Sequence, residues 1–189
     1  LRIETTLDPS GCRTETAWSG GRRHGLSETR YPDGRVRFRG AYDHGAETGT
    51  WESWYPDGTL RSSKTMVRGL PEGVMRTYHP NGRIETESWY AGGIDVGTSR
   101  GWYDDGTPEY EMPYVLGKRR GQALWYHRDG SLRARGTYVD DRLDGEYVEQ
   151  DEAGHVVLRE VWRDGVCVEG PSSRIRATAQ MLGIHPGIL

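Results

Sequence analysis

Apolar and aromatic positions recur along this chain with one fixed period. Trp18, Tyr42, Met66, Tyr90, Tyr114, Tyr138 and Trp162 stand 24 residues apart, as do Val36, Leu60, Ile84, Pro108, Leu132 and Val156. In the unit from Gly49 to Arg68, Thr50-Trp51-Glu52-Ser53-Trp54-Tyr55 and Thr59-Leu60-Arg61-Ser62-Ser63-Lys64-Thr65-Met66 flank Pro56-Asp57-Gly58. Pro presets φ for the second position of a type I turn, and Gly accepts the left-handed residue of the bulge that follows. Two strand-like runs about such a turn predict a β-hairpin with a three-residue connection. The turn recurs at Tyr31-Pro32-Asp33-Gly34, His79-Pro80-Asn81-Gly82, Tyr103-Asp104-Asp105-Gly106 and His127-Arg128-Asp129-Gly130. It sets Tyr55 opposite Thr59 and Trp54 opposite Leu60. Unbroken alternation of side chains then puts Trp54, Leu60 and Met66 on one, more apolar face. Tyr78, Ile84 and Tyr90, and Tyr126, Leu132 and Tyr138, are their equivalents. Trp51, Tyr55 and Arg61 fall on the other face, with Arg37, His79, Tyr103, His127 and Arg133 in matching columns.

The glycines keep the same period. Gly34, Gly58, Gly82, Gly106, Gly130 and Gly154 form one column, and Gly25, Gly49, Gly73, Gly97, Gly121 and Gly145 a second. Gly21, Gly45, Gly69, Gly93, Gly117 and Gly165 form a third, with Asp141 in its one gap. Self-similarity in so many columns marks a repeat array with six full units. One hairpin cannot bury such a face alone, whereas stacked hairpins cover each other's rings. The expected fold is all-β: an elongated single-layer antiparallel sheet of tandem 24-residue hairpins, solenoid-like, on the order of 60 Å long and curled by twist into a trough. Residues 1–20 read as a degenerate capping unit, with Asp8-Pro9-Ser10-Gly11 as the turn shifted by one residue, and 21–170 as the six repeats. Residues 171–189 read as a C-terminal cap with a short helix near 173–182, or as a mobile tail.

Composition sharpens this picture. Of 189 residues 27 are Gly, about twice the roughly 7% average, and one Phe stands against 7 Trp and 11 Tyr. With 34% hydrophobic residues and a mean hydropathy of -0.81 a thick core is excluded. Aromatics at 10% and a net charge of -3 do not match disordered chains. The near-neutral balance also argues against nucleic-acid binding. No apolar run is long enough for a transmembrane helix. Nothing near Leu1 resembles a signal peptide, although the chain does not begin with Met and a removed segment stays open. Arg outnumbers Lys 23 to 2, which fits a GC-rich genome. Cys12 and Cys167 lie at opposite ends of the array, too far apart for an intramolecular disulfide. They fit a reducing, cytoplasmic compartment, with an intermolecular bridge as the other option.

Catalytic and metal chemistry find little support. His79 and His127, the one His pair sharing a column, stand two repeats apart, roughly 20 Å, so no metal and no cofactor is expected. One carboxylate per turn at about 10 Å intervals cannot coordinate calcium. No HExxH, CxxC, phosphate loop or GxSxG turn appears, and no enzyme is expected. Charge is uneven: six Arg between Arg22 and Arg39 face Glu28 and Asp33, whereas seven acidic residues between Asp140 and Glu152 face Arg142. This asymmetry reads as a solvated surface, as partner steering, or as head-to-tail contact between copies. Lys118-Arg119-Arg120 is a local basic turn.

Phe38-Arg39-Gly40-Ala41-Tyr42-Asp43-His44-Gly45-Ala46-Glu47-Thr48-Gly49 and, less completely, Ala134-Arg135-Gly136-Thr137-Tyr138 resemble the MORN repeat, an aromatic-Gly-aromatic order followed by spaced glycines. The Asp-Gly turn and the Trp-x-x-Trp-Tyr stretch are similar to its bacterial variant, some of whose members are antitoxin-like. The resemblance implies a sheet of hairpins used for protein interaction, scaffolding or, in some members, phospholipid contact. The resulting expectation is a non-enzymatic module that binds a protein, with a toxin or effector as one option. The expected contacts are Tyr31, Trp51, Tyr55, Arg61, His79, Tyr103, Trp125 and His127, because Tyr, Trp and Arg are favoured interface anchors. A phospholipid-binding module and a self-assembling array are the alternatives.

Overall fold

The computed structural model describes residues 1–172. Among them are sixteen β-strands: β1 (Arg2–Leu7), β2 (Arg13–Ser19), β3 (Arg22–Arg30), β4 (Val36–Asp43), β5 (Ala46–Trp54), β6 (Leu60–Val67), β7 (Leu70–Tyr78), β8 (Ile84–Ala91), β9 (Ile94–Trp102), β10 (Pro108–Val115), β11 (Lys118–Arg119), β12 (Gly121–Tyr126), β13 (Leu132–Val139), β14 (Arg142–Gln150), β15 (Val156–Arg163) and β16 (Val166–Glu169). The chain divides into two compact units, Leu1–Gly106 and Thr107–Leu189. In the first, β1 to β9 pair antiparallel in chain order, and the sheet is open. In the second, β10 pairs with β11 and β12, and β12 to β16 follow in chain order. The all-β hairpin fold is therefore as expected. The proposed helix near 173–182 lies outside the described residues.

The turn chemistry acts as the sequence predicts. Gly58 N–H donates to the Tyr55 carbonyl and Tyr55 N–H to the Thr59 carbonyl, both at 2.9 Å, with Gly58 at φ 94°. The Asp57 carboxylate accepts the Thr59 N–H at 2.8 Å. Trp54 faces Leu60. The first hairpin uses the same closure, with Gly11 N–H donating to the Asp8 carbonyl at 2.9 Å.

Beyond the turn, the face assignment needs correction. Trp54 pairs with Leu60 but Ser53 pairs with Ser62, so Arg61 is an extra, bulged residue. Arg37, Glu85, Arg133 and Val157 are skipped in the same way. A bulge resets alternation. Met66, opposite Gly49, therefore shares the face of Trp51 and Lys64, not that of Trp54 and Leu60. Tyr90 and Tyr138 move with it. The first hairpin runs in register from Leu7↔Arg13 to Arg2↔Trp18 with no such extra residue, which accounts for its turn being one residue out of phase.

The corrected faces differ in chemistry. One carries hydroxyls and rings. In the first unit Thr14, Thr29, Phe38, Ser53, Ser62, Thr77 and Thr86 form a row from strand to strand. Thr14–Thr29, Ser53–Ser62 and Thr77–Thr86 share hydroxyl hydrogen bonds of 2.9, 2.6 and 2.7 Å. The opposite face carries Glu28, Arg39, Glu52, Ser63, Arg76, Glu87 and Arg100 in register. Its ion pairs include Arg39–Glu28 at 2.7 Å and Arg76–Glu87 at 2.8 Å. Ser53, Met66 and Ser99 in the first unit, and Ala123 and Ala134 in the second, are buried on the hydroxyl face. No large side chain among the described residues is fully buried, as a thin sheet requires.

Candidate functional site

In four of the repeats the residue before the Pro-Asp-Gly-type turn projects along the sheet toward the next repeat. The Tyr31 hydroxyl donates to the Trp54 carbonyl and the Tyr55 hydroxyl to the Tyr78 carbonyl, each at 2.8 Å. His79 Nε2–H donates to the Trp102 carbonyl at 2.7 Å, and His127 Nε2–H to the Gln150 carbonyl at 2.8 Å. These four side chains are staples between repeats, each reaching 23 residues onward. Tyr and His substitute for one another in this column because both carry a ring with a donor at its tip. The guanidinium of Arg37 lies 5.8 Å from the Tyr31 ring centre and that of Arg61 5.7 Å from that of Tyr55, within cation–π range. The bulge makes this approach: as the extra residue, Arg61 leans back toward the turn aromatic. Tyr103 holds the equivalent place in sequence.

Trp51 is seated by a glycine. A Cβ built on Gly40 would fall 2.1 to 2.4 Å from the indole carbons of Trp51, so the ring lies on bare backbone. Its edge meets Tyr42, with ring centres 5.1 Å apart at 79°. Gly136 repeats the arrangement four periods later, where a Cβ would stand 2.8 Å from the ring of Tyr147. Burial first, and then donation to Glu149 Oε1 at 2.7 Å, push the Tyr147 hydroxyl well above its ordinary value and keep it protonated. Trp125 meets Tyr147 edge-on at 6.4 Å. It stands in register with Ala134, in the column that holds Ser53 and Thr77 in the first unit. Around it lies an open hollow of about 520 Å³, bounded also by His127, Arg133, Glu149 and Asp151. The first unit has a smaller hollow of about 340 Å³ between Phe38, Ser53, Arg61, Met75 and Glu85.

The structure thus places Trp51, Tyr55, Arg61, Trp125 and His127 on the hydroxyl face of their respective units. It also adds Tyr147 and Glu149, which sequence reading did not single out. The signal for Tyr147 was present: it stands four periods after Trp51, as Gly136 does after Gly40.

The family model described as MORN repeat variant matches residues 47–67, 71–91, 95–115 and 119–140. The chain belongs to the MORN-repeat family. MORN repeats are in general protein- or membrane-binding modules rather than enzymes. No curated protein matches the sequence.

In this MORN array the charge-rich segments are largely occupied internally. Arg23 donates to the Tyr42 hydroxyl at 2.8 Å, Arg35 to the Pro56 carbonyl at 2.7 Å, and Arg30 and Arg39 both pair with Glu28. On the acidic side, Glu146 takes Arg135 and Arg159, and Asp141 takes Arg119. Arg119 also lies 4.5 Å from the Tyr138 ring centre, so the middle cation of the basic turn is already engaged. The turn aspartates act as caps. Asp57 is held below the ordinary carboxylate range by the Thr59 N–H first, and Asp129 by the Ser131 hydroxyl first.

Proposed function

We propose that this MORN array is a non-enzymatic module that binds a protein through the hydroxyl face, at Tyr31, Trp51, Tyr55, Arg61, His79, Tyr103, Trp125 and His127. The observation that carries this reading is the pinned ring column. Because Tyr31, Tyr55, His79 and His127 spend their donors on neighbouring repeats, their half-buried rings stand in fixed orientation, with Arg37 beside Tyr31 and Arg61 beside Tyr55. Rigid aromatics with adjacent guanidinium groups lose little entropy on binding and are frequent interface anchors. Neutralisation of a toxin or effector is one form of this function, and rests on the antitoxin-like relatives of the variant repeat.

The repeat supplies its own fold-preserving substitutions. Glu85 and Glu109 occupy the column of Arg61 and Arg133, and Thr77 occupies that of Trp125. Affinity capture from the native source should therefore lose its partner with the Arg61→Glu/Arg133→Glu/Trp125→Thr variant and retain it with Ser63→Ala, on the opposite face. Identical captured sets for all three proteins would reject this face. Cosedimentation with anionic vesicles is the companion measurement. Vesicle binding that survives the triple variant would instead support membrane attachment elsewhere.

A further inference from the structure

His79 and His127 share a repeat column but stand two repeats apart. The fold instead brings together two histidines from different columns. His24 lies in β3, and Asp43-His44 lies at the end of β4 and in the two-residue turn that follows. Asp43 Oδ1 is 3.2 Å from His24 Nδ1 and 2.6 Å from His44 Nδ1. One donor atom from each of the three lies within 4.8 Å of the others, and the two imidazole centres are 4.9 Å apart at 64°. All three side chains are open to solvent on at least one side, at 40%, 62% and 75% exposure for His24, Asp43 and His44.

We propose that His24, Asp43 and His44 form a binding site for a borderline divalent transition ion, with zinc as the reference. Two imidazole nitrogens and one carboxylate oxygen are the donor set such ions prefer. Tetrahedral ligands at about 2.1 Å from an ion stand about 3.4 Å from one another, so only small side-chain rotations separate the present geometry from coordination. A single carboxylate is too few oxygens for calcium or magnesium. The fourth position faces solvent and takes water. On binding, the ion replaces the hydrogen bonding now centred on Asp43 Oδ1.

The cluster is also a departure from the repeat. The column of His24 otherwise holds Thr48, Glu72, Val96, Arg120, Asp144 and Val168, and that of Asp43 holds Ser19, Val67, Ala91, Val115, Val139 and Arg163, with no other carboxylate. In the column of His44, Gly20 and Gly92 take the same left-handed backbone. Capping the turn needs no second histidine: Glu72 Oε2 accepts the Gly92 N–H at 2.6 Å where His24 Nδ1 accepts that of His44 at 3.4 Å.

These equivalents define the test. Zinc binding to the full chain is measured by isothermal titration, and cobalt(II) absorbance reports nitrogen coordination. The expected result is one ion per chain, with affinity reduced at least about tenfold in His24→Thr and again in His44→Gly. Without metal, circular dichroism should match wild type and the thermal midpoint should be no lower, since glycine relieves the left-handed backbone at His44, which separates ligand loss from misfolding. Unchanged affinity in both variants, whatever other groups then hold the zinc, would overturn the site. So would failure of wild type to take up zinc at 100-fold molar excess.

Discussion

At the scale of single residues, Gly40 and Trp51 are the most sharply defined pair. The backbone at Gly40 is not left-handed, so glycine is required there by space and not by φ. Gly40→Ala should destabilise the protein by about 1–3 kcal/mol, the usual cost of overpacking, read as a lower urea midpoint. In a Trp51→Ser background most of that cost should vanish, because Ser27 and Ser99 fill the Trp51 column without a ring. A full penalty in both backgrounds would contradict the seat. Gly40 was visible in sequence as the glycine between two aromatics. Its partner was not, because Gly40 faces the stretch where Arg39 pairs with Glu52 but Ala41 with Thr48, and no local rule places that shift.

At the scale of elements, the two kinds of turn do different work. In the Pro-Asp-Gly type, the aspartate accepts backbone N–H groups. The depressed values of Asp57 and Asp129 mean that the unfolded chain takes up these protons first as pH falls. Their stabilisation is complete above the ordinary aspartate value of about 4 and is lost as pH falls through the folded values. The thermal midpoint should drop on acidification below about pH 4, and less steeply in Asp57→Asn/Asp129→Asn. Asn81 shows that the amide can cap the same turn, since its Oδ1 accepts the Arg83 N–H at 3.0 Å. Equal slopes in scanning calorimetry would contradict this account.

The connections between repeats are two-residue turns with both residues left-handed, as in His44 at φ 49° and Gly45 at φ 96°. This is the type I′ geometry that suits the twist of paired strands. Leu116 adopts φ 51° and is 79% exposed, so a bulky residue bears a conformation costing about 1–2 kcal/mol with no burial in return. Leu116→Gly should raise stability by up to about 1 kcal/mol, visible as a higher urea midpoint at unchanged slope.

At the scale of the whole molecule, each strand is held mainly by its neighbours, and stability is a sum of local terms. Among the described residues β1 pairs only with β2, and β16 only with β15. Leu1, Ile3 and Leu7 on or beside β1 are exposed, as are Val166 and Val168 in β16. Hydrogen exchange followed by mass spectrometry should show protection lowest in β1 and β16 and highest in β5 to β8. Uniform protection would indicate a single cooperative unit. The internal pairing of charge also belongs to this scale. The Arg-rich and acidic stretches looked like opposite poles along the chain. Register instead sets Arg39 against Glu28, and Glu146, two residues before the Val148 that Arg135 and Arg159 face, pairs diagonally with both, so that much of the charge is compensated locally.

The sequence alone determined the 24-residue period, the hairpin in each unit and the register at its turn, down to Trp54 against Leu60. All of these depend on φ preferences and side-chain caps within a few residues. Only the tertiary structure decided which face receives Met66, which ring rests on which glycine, and that His24 meets His44. A bulge of one residue at Arg61 reverses every assignment beyond it. Whether a strand bulges is settled by pairing with a neighbour across the sheet, where no local rule in the strand's own residues reaches.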